Sequence, residues 1–299
     1  MTLGASGLGR AAFAGTVERD VAIDLAVAMI ESPHALIDTA NEYDGGRSEE
    51  VIGIALRHSG VTGPAPVVTK VDRDLDSGVF DRDRVLRSYD ESLARLGVDR
   101  VSLLHLHDPF TITFDQASGR DGAIAGMIEL REAGAVDAIG IAAGPISMVR
   151  PFVETGLFDA VLVHNRYTIV DQSARALFAD ARSRGMTVFN AAPFGAGLLA
   201  KGSGSGARYG YSDTTAQLRA WVARAEDVCR SYRVDLKAVA LAFSLRAPLI
   251  DSTVVSASST ARLAQLDELA ATPIPDAVWD ELDALGPAPT NLDDGEPDD

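Results

Sequence analysis

Residues 36–43 read LIDTANEY, residues 67–70 read VVTK and residues 103–107 read LLHLH. Each stretch begins with a short run rich in Leu, Ile and Val and stops at polar residues, which is the pattern of a buried strand. The last side chain of such a run projects from the carboxyl end of the strand, where active sites of alternating β/α folds lie. The sequence therefore predicts that the polar ends of these three strands share one site.

The same alternation of short apolar runs and helical patterns continues along nearly the whole chain. Strands are predicted near Leu3 and at 36–38, 67–70, 101–107, 137–142, 159–163, 187–191 and 252–256. Helices are predicted at 21–32, 46–59, 82–96, 121–133, 146–155, 172–184, 213–232, 235–247, 260–271 and 275–285. Eight strands with helices between them predict an α/β protein with one (β/α)8 TIM barrel domain over residues 1–286.

A doubly wound open sheet is the structural alternative. Such a sheet usually carries a GxGxxG phosphate-binding turn after its first strand. Residues 3–10, LGASGLGR, contain GxxGxG instead. Because a lone glycine pattern is weak evidence in either direction, the barrel prediction rests on the number of alternations.

Composition favours a soluble globular protein and argues against two kinds of binding partner. The chain has 299 residues, 46% hydrophobic and 23% charged, which is ordinary for a soluble globular protein. Its formal net charge of -16 argues against nonspecific binding to nucleic acids or anionic membranes, which need a basic face. Part of that charge lies at the end of the chain, and residues 287–299 are predicted to form an acidic, disordered tail.

The remaining signals concern redox chemistry and location. The single cysteine, Cys229, excludes an internal disulfide and gives no metal cluster, so no metal ligands are predicted. The N-terminus lacks a cationic region followed by an apolar core, and no run of 18 apolar residues occurs. A cytoplasmic protein is expected, and its oligomeric state stays open because no sustained heptad or apolar stripe marks an interface.

Four strand-end side chains suit proton transfer beside a hydride donor: Asp38, Tyr43, Lys70 and His107. A free tyrosine has a pKa of about 10, and a nearby ammonium lowers that value. Lys70 supplies the ammonium, and the carboxylate of Asp38 on the adjoining strand keeps it charged. The imidazole of His107 on the next strand can position the substrate oxygen or relay its proton.

Taken singly, each of these residues has a structural explanation. The aspartate could cap a helix, the tyrosine could pack in a loop, and the histidine could be a core residue. The ordered spacing and shared strand-end position favour a site. His105 competes with His107 because residues two apart on a strand face the same way. We expect the outer His107 at the mouth and His105 in the barrel interior.

Five segments carry a family resemblance: IDTANEYDGGRSEEVIG (37–53), VVTKV (67–71), LLHLHDP (103–109), NRYTIVDQ (165–172) and NAAPFGAGLLAKG (190–202). The chain resembles the aldo-keto reductases over nearly its whole length. The last two segments look most like the sugar-oxidising D-threo-aldose 1-dehydrogenase branch, which includes L-fucose dehydrogenases, with pyridoxal dehydrogenases nearby. The resemblance implies a (β/α)8 barrel that uses NAD or NADP.

The resemblance also implies roles and a reaction. Tyr43 would be the general acid/base, tuned by Lys70 and Asp38, and His107 would orient the substrate. The anomeric carbon of an aldose of the L-fucose, D-arabinose or L-galactose type would be oxidised to a lactone. Two alternatives are an NADPH-dependent aldehyde or ketone reductase and a nicotinamide-nucleotide-binding barrel without turnover. The four residues cannot separate the two directions, because the catalysed step is reversible.

Several implied cofactor contacts depart from the family pattern. Ala142 and Ala143 stand where many relatives have a Ser-Asn pair that binds the carboxamide. Ala191 replaces a nicotinamide-stacking tyrosine, with Phe194 nearby as a substitute. The resemblance places further cofactor contacts at Asn165, Gly195, Gly197 and Leu198.

The adenosine end of the cofactor falls, by resemblance, on VVSASSTARLAQ at 254–265. Ser256 and Ser258 occupy two positions that are basic in the family, and Arg262 remains. Because a 2'-phosphate calls for charge-assisted donors, one arginine in place of a cluster favours NAD. The segment KGSGSGARYG, 201–210, is predicted to be a loop over the cofactor or a flexible connector.

Overall fold

Eight parallel strands close into a barrel. The structure is a computed structural model that describes residues 1–11, 16–34, 36–61, 65–204, 206–290 and 292. The strands are β1 (Thr2–Gly4), β2 (Leu36–Asp38), β3 (Val67–Val71), β4 (Leu103–His107), β5 (Ala138–Ala143), β6 (Ala160–His164), β7 (Thr187–Ala191) and β8 (Ser252–Ser256). Each strand pairs with the next, and β8 pairs with β1. This closure confirms the predicted (β/α)8 barrel and excludes the open sheet.

Helices surround the barrel. They are α1 (Leu8–Ala11), α2 (Thr16–Ile30), α3 (Arg47–Ser59), α4 (Arg82–Leu96), α5 (Phe114–Ser118), α6 (Ala123–Glu132), α7 (Ile146–Glu154), α8 (Arg175–Ser183), α9 (Leu198–Lys201), α10 (Ala216–Ser231), α11 (Leu236–Leu245), α12 (Thr260–Ala270) and α13 (Asp276–Ala284). The short α1, α5 and α9 were not predicted, because four or five residues are too few to show helical periodicity. None of the helices in the described ranges is long and apolar enough to span a membrane.

Strand side chains alternate between the barrel interior and the surrounding helices. On β4, Leu104 and Leu106 belong to the main core that includes the helices, whereas the His105 ring meets Phe189 edge to face, with ring centroids 5.9 Å apart. Gly140 makes room for this imidazole, since a Cβ there would lie 2.3 Å from Nδ1. Burial lowers the pKa of His105 to about 3. The prediction that His105 is a buried interior residue is confirmed.

The last described residues pack on the outside of the barrel. Trp221 Nε1 donates to the Gly286 carbonyl at 2.9 Å, and the Thr290 hydroxyl donates to Asp171 at 3.0 Å. Of the predicted tail, 287–299, the structure describes residues 287–290 and Leu292. The acidic residues of that stretch lie outside the described residues.

Candidate active site

The barrel mouth brings Asp38, Tyr43 and Lys70 into contact. Asp38 ends β2, Lys70 lies on β3, and the turn after β2 carries Tyr43. Lys70 Nζ lies 2.8 Å from Asp38 Oδ2, 2.6 Å from the Thr39 carbonyl and 3.1 Å from the Tyr43 hydroxyl oxygen. These acceptors match the three protons of an ammonium. Because Lys70 donates to the Tyr43 oxygen, the hydroxyl proton of Tyr43 is available to another acceptor.

Burial and neighbouring charges shift the pKa values of Lys70 and Tyr43 in opposite directions. Burial disfavours the Lys70 charge, but Asp38 and Tyr43 outweigh it and raise the pKa of Lys70. Burial also raises the pKa of Tyr43, and the Lys70 ammonium lowers it by less. The expected effect of the ammonium is therefore present, but the expectation of a lowered tyrosine pKa is wrong. Desolvation of the phenolate is the reason.

The turn that carries Tyr43 is tied to α4. Arg84 donates to the Asn41 side-chain oxygen at 3.2 Å, and Arg95 donates to the Asn41 carbonyl at 3.2 Å. Asn41 in turn donates to the Ser88 carbonyl at 3.0 Å. These contacts hold the turn at both its side chain and its backbone, two residues before Tyr43.

His107 lies beside Tyr43 and has a carboxylate partner. Its ring meets Tyr43 edge to face, with ring centroids 5.6 Å apart. Its Nδ1 lies 2.7 Å from Asp72 Oδ1, and its Nε2 lies 3.6 Å from Asp108 Oδ2. Burial opposes protonation, but the Asp72 carboxylate outweighs it, so the pKa of His107 lies above its ordinary value. Asp72 was not predicted, although it directly follows β3, two residues after Lys70.

His164 and Tyr211 also lie at the mouth, and the sequence analysis missed both. Their ring centroids are 5.8 Å apart. His164 Nδ1 accepts from Asn165 Nδ2 at 3.0 Å, which places the ring proton on Nε2. Burial lowers the pKa of His164 to about 4, so this ring is neutral at pH 7. His164 could have been predicted from the run AVLVH, because this strand candidate ends in histidine as LLHLH does.

Two cavities adjoin these side chains. The inner cavity, about 390 Å³, runs from Asp38, Tyr43, Lys70 and His107 past Leu162 to Ser256. The outer cavity, about 550 Å³, is lined by Ser6, Arg10, Glu42, Tyr43, Asp44, Arg73, His107, Asp108, Phe110, His164 and Tyr211. Five residues line both cavities: Ser6, Tyr43, His107, His164 and Tyr211. A molecule in either cavity would therefore reach Tyr43 and His107.

Half of the predicted cofactor contacts line the inner cavity: Ala142, Phe194, Gly197, Ser256 and Arg262. The structure places the others elsewhere: Ala143, Asn165, Gly195, Leu198 and Ser258. Ala143 and Leu198 pack in hydrophobic clusters, because neighbouring residues of a strand or helix face different ways. Asn165 is fully buried behind His164, Gly195 is packed on the Tyr209 ring, and Ser258 is exposed.

The residues of the inner cavity fit a nicotinamide dinucleotide. Besides the polar residues around Tyr43, its wall includes Ala142, Leu162 and Ala191, which are apolar surfaces suited to a flat ring. Towards its other end the lining includes Ser256 and the two cations Lys201 and Arg262, which are suitable donors to phosphates. Lys201 was not predicted as a contact. It ends α9, whereas residues 201–210 were predicted to form a loop or connector.

The model of the Aldo/keto reductase family matches residues 1–287. The chain belongs to this family. It is 31% identical to the pyridoxal 4-dehydrogenase of Microbacterium luteolum, with 96% of this chain and 95% of that protein covered. It is 30% identical to the D-threo-aldose 1-dehydrogenase of a Pseudomonas species, with 91% of each covered. The resemblance read from the sequence is confirmed.

A solved structure shows the same fold. The holo form of an aldo-keto reductase from Bacillus halodurans matches with a TM-score of 0.76, covering 96% of this chain and 92% of that one. At 20% identity this likeness bears on the fold alone. From the family and the dehydrogenases related to it, this aldo/keto reductase is an NAD(P)-dependent oxidoreductase for small carbonyl or sugar substrates.

Proposed function

We propose that this aldo/keto reductase oxidises the anomeric carbon of an aldose, of the L-fucose, D-arabinose or L-galactose type, to a lactone. The observation that carries the proposal is the outer cavity, where charged and aromatic side chains surround the mouth next to Tyr43. Arg10, Glu42 and Arg73 offer donors and acceptors to hydroxyl groups, while Phe110 and Tyr211 offer aromatic surfaces to a sugar ring. The related D-threo-aldose 1-dehydrogenase is named for the same class of substrate.

The proposed chemistry assigns one task to each side chain. The nicotinamide cofactor supplies the hydride acceptor. Tyr43 takes the proton of the anomeric hydroxyl as the carbonyl forms, and His107 holds that oxygen. Lys70 stabilises the tyrosinate through its 3.1 Å contact with the Tyr43 oxygen, and Asp38 keeps Lys70 charged.

A carbonyl reductase is the second candidate, and one observation favours it. Burial raises the pKa of Tyr43, so at neutral pH its hydroxyl is protonated and can donate to a carbonyl oxygen. Oxidation needs the deprotonated form and is therefore expected to become faster towards alkaline pH. A barrel that binds nucleotide without turnover would not need the Lys70 contact with Tyr43.

We propose NAD as the cofactor because Ser256 and Ser258 replace basic residues of the family. The structure adds a cation, however, since Lys201 lines the same cavity as Arg262. Two cations can serve the bridging phosphates or a 2'-phosphate. The assay of function therefore includes both NAD and NADP.

The test is a substrate scan at neutral and alkaline pH. L-Fucose, D-arabinose, L-galactose and pyridoxal are offered with NAD and NADP, and simple aldehydes are offered with NADH and NADPH. Pyridoxal is included because its aldehyde also forms a cyclic hemiacetal and because a relative is named for it. We expect reduced nicotinamide and a lactone from at least one aldose. Turnover of aldehydes with NADPH, without oxidation of any aldose, would establish the reductase instead.

Asp108 is expected to bind a substrate hydroxyl. It lines the outer cavity beside His107, and its side chain is 22% exposed there. Asp108→Asn removes the charge and suits the backbone, because φ is +40° and asparagine tolerates that region. Because the asparagine oxygen still accepts but lacks the charge, the hydrogen bond weakens by about 1 kcal/mol, and the KM for the sugar is expected to rise by roughly fivefold. The exposed Asp76→Asn is the charge-matched control. An unchanged KM would remove Asp108 from the binding site.

A further inference from the structure

Asp72 is a carboxylate buried directly behind His107, and none of the proposed steps uses it. Its side chain is fully buried, and Oδ1 lies 2.7 Å from His107 Nδ1. Oδ2 accepts from the Glu42 backbone N–H at 2.8 Å. The Asp72 backbone is held as well, by the Ser88 hydroxyl at 3.0 Å and by Arg84 Nε at 2.9 Å. The carboxylate is therefore fixed on several sides before it meets the imidazole.

We propose that Asp72 is a positioning residue that acts through His107, fixing its ring so that Nδ1–H points into the protein and Nε2 points at the substrate oxygen. The proposal rests on the role of His107 in the proposed function. A carboxylate can only accept, so Nδ1 must carry a proton in both charge states of the ring. Nε2 then donates when the ring is an imidazolium and accepts when the ring is neutral.

The second histidine of the mouth shows what Asp72 changes. His164 Nδ1 accepts from the Asn165 amide, so its Nε2 carries the proton in the neutral ring and can only donate. Burial lowers the pKa of His164 to about 4, whereas the carboxylate beside His107 raises the pKa of that ring. Two histidines that line the same cavities thus differ because one has a carboxylate partner and the other has an amide.

Other ionisable groups also face His107: Glu42, Tyr43, Lys70, His105, Asp108 and His164. The Lys70 ammonium opposes protonation, and the Asp108 carboxylate, 3.6 Å from Nε2, favours it. The Asp72 carboxylate makes the shorter contact, 2.7 Å, and it is hydrogen-bonded to the ring.

The arrangement links the protonation of His107 to its contact with the substrate oxygen. Below the pKa of His107 the imidazolium donates from Nε2 to that oxygen, which is the carbonyl oxygen in reduction and the anomeric oxygen in oxidation. Above that pKa the neutral ring has no proton at Nε2, and it cannot hold the anomeric oxygen while that hydroxyl gives its single proton to Tyr43. Because Asp72 raises this pKa, it extends the pH range over which His107 donates to the substrate oxygen.

The test is Asp72→Asn in the full chain, with Asp76→Asn as the control. The asparagine amide can donate to Nδ1, which moves the neutral ring to the Nε2–H form. We expect the His107 inflexion in the pH profile of kcat/KM to move down by about one to two pH units. Between the wild-type and variant inflexions we expect kcat/KM to fall in both directions, because a neutral ring replaces the imidazolium donor there, while nucleotide affinity is unchanged. An unchanged profile would overturn the proposal.

A spectroscopic readout separates this proposal from the proposed function. In ¹⁵N-histidine-labelled wild-type enzyme, NMR should show His107 protonated at Nδ1 and titrating above the ordinary histidine pKa of about 6.5. A wild-type His107 protonated at Nε2 alone would refute the proposal even if Asp72→Asn failed to fold. If the NMR result holds but no aldose is oxidised, the proposed function fails and the role of Asp72 stands. In a His107→Gln background, Asp72→Asn should have little further kinetic effect.

Discussion

Replacing Tyr43 with phenylalanine is expected to lower turnover by about 10²–10⁴-fold in both directions, because the substitution removes the group that transfers the proton. The nucleotide affinity should stay nearly unchanged, since the phenyl ring keeps its place in the wall of the inner cavity. Lys70 loses one of its three acceptors but keeps Asp38 and the Thr39 carbonyl. Steady-state rates in both directions and nucleotide binding by fluorescence quenching measure the two effects.

Tyr232→Phe is the matched control for this prediction. Its hydroxyl contacts Glu281 on the surface, so its removal should leave turnover within about twofold of the wild type. If Tyr43→Phe retained full activity, Tyr43 would not be the acid/base. His107, with its Asp72 partner, would then be the next residue to test.

Lys70→Met is expected to reduce both stability and activity. The ammonium and the Asp38 carboxylate are 1% and 5% exposed and lie 2.8 Å apart. Removing one partner of a buried ion pair leaves an uncompensated charge, which costs about 3–5 kcal/mol. Turnover should fall as well, because the pKa of Tyr43 loses the effect that opposes burial. Denaturant unfolding gives the free energy, and steady-state rates give the activity.

The double variant Lys70→Met with Asp38→Asn separates the two effects. Without the carboxylate no buried charge remains unpaired, so part of the lost stability should return. Activity should not return, because Tyr43 still lacks the ammonium. A single variant as stable as the wild type would contradict the ion-pair argument, and a double variant with restored turnover would contradict the role of Lys70.

The strands show how far local patterns determine the fold. β2, β7 and β8 begin and end where their apolar runs predict, at 36–38, 187–191 and 252–256. Each contains a pair of adjacent apolar residues that marks a buried strand in the sequence: Leu36 and Ile37, Val188 and Phe189, and Val254 and Val255. The single-turn helices α1, α5 and α9 lack such a pattern, since their positions depend on the loops and neighbours around them.

The site residues likewise divide into those that a local sequence pattern predicts and those that only contacts between distant segments reveal. Asp38, Tyr43, Lys70 and His107 were identified because strand-end positions follow from the apolar runs. The two-residue period of a strand put His105 and His107 on the same face, and the choice of His107 followed from its outer position. Contacts among distant segments had no such signal. Lys201 follows β7 but lines a cavity with Arg262 from α12, and Tyr211 meets His164 across the mouth.

By itself the sequence determined the barrel, because periodicity and spacing are local properties of the chain, and its motifs carried the family resemblance and the four residues Asp38, Tyr43, Lys70 and His107. Only the tertiary structure decided what surrounds those residues. It pairs His107 with Asp72 and His164 with Asn165, and it turns Ala143 away from the cavity. It also reverses the expected shift in the pKa of Tyr43. The physical reason is that desolvation and pairing depend on which segments meet when β8 closes the barrel onto β1.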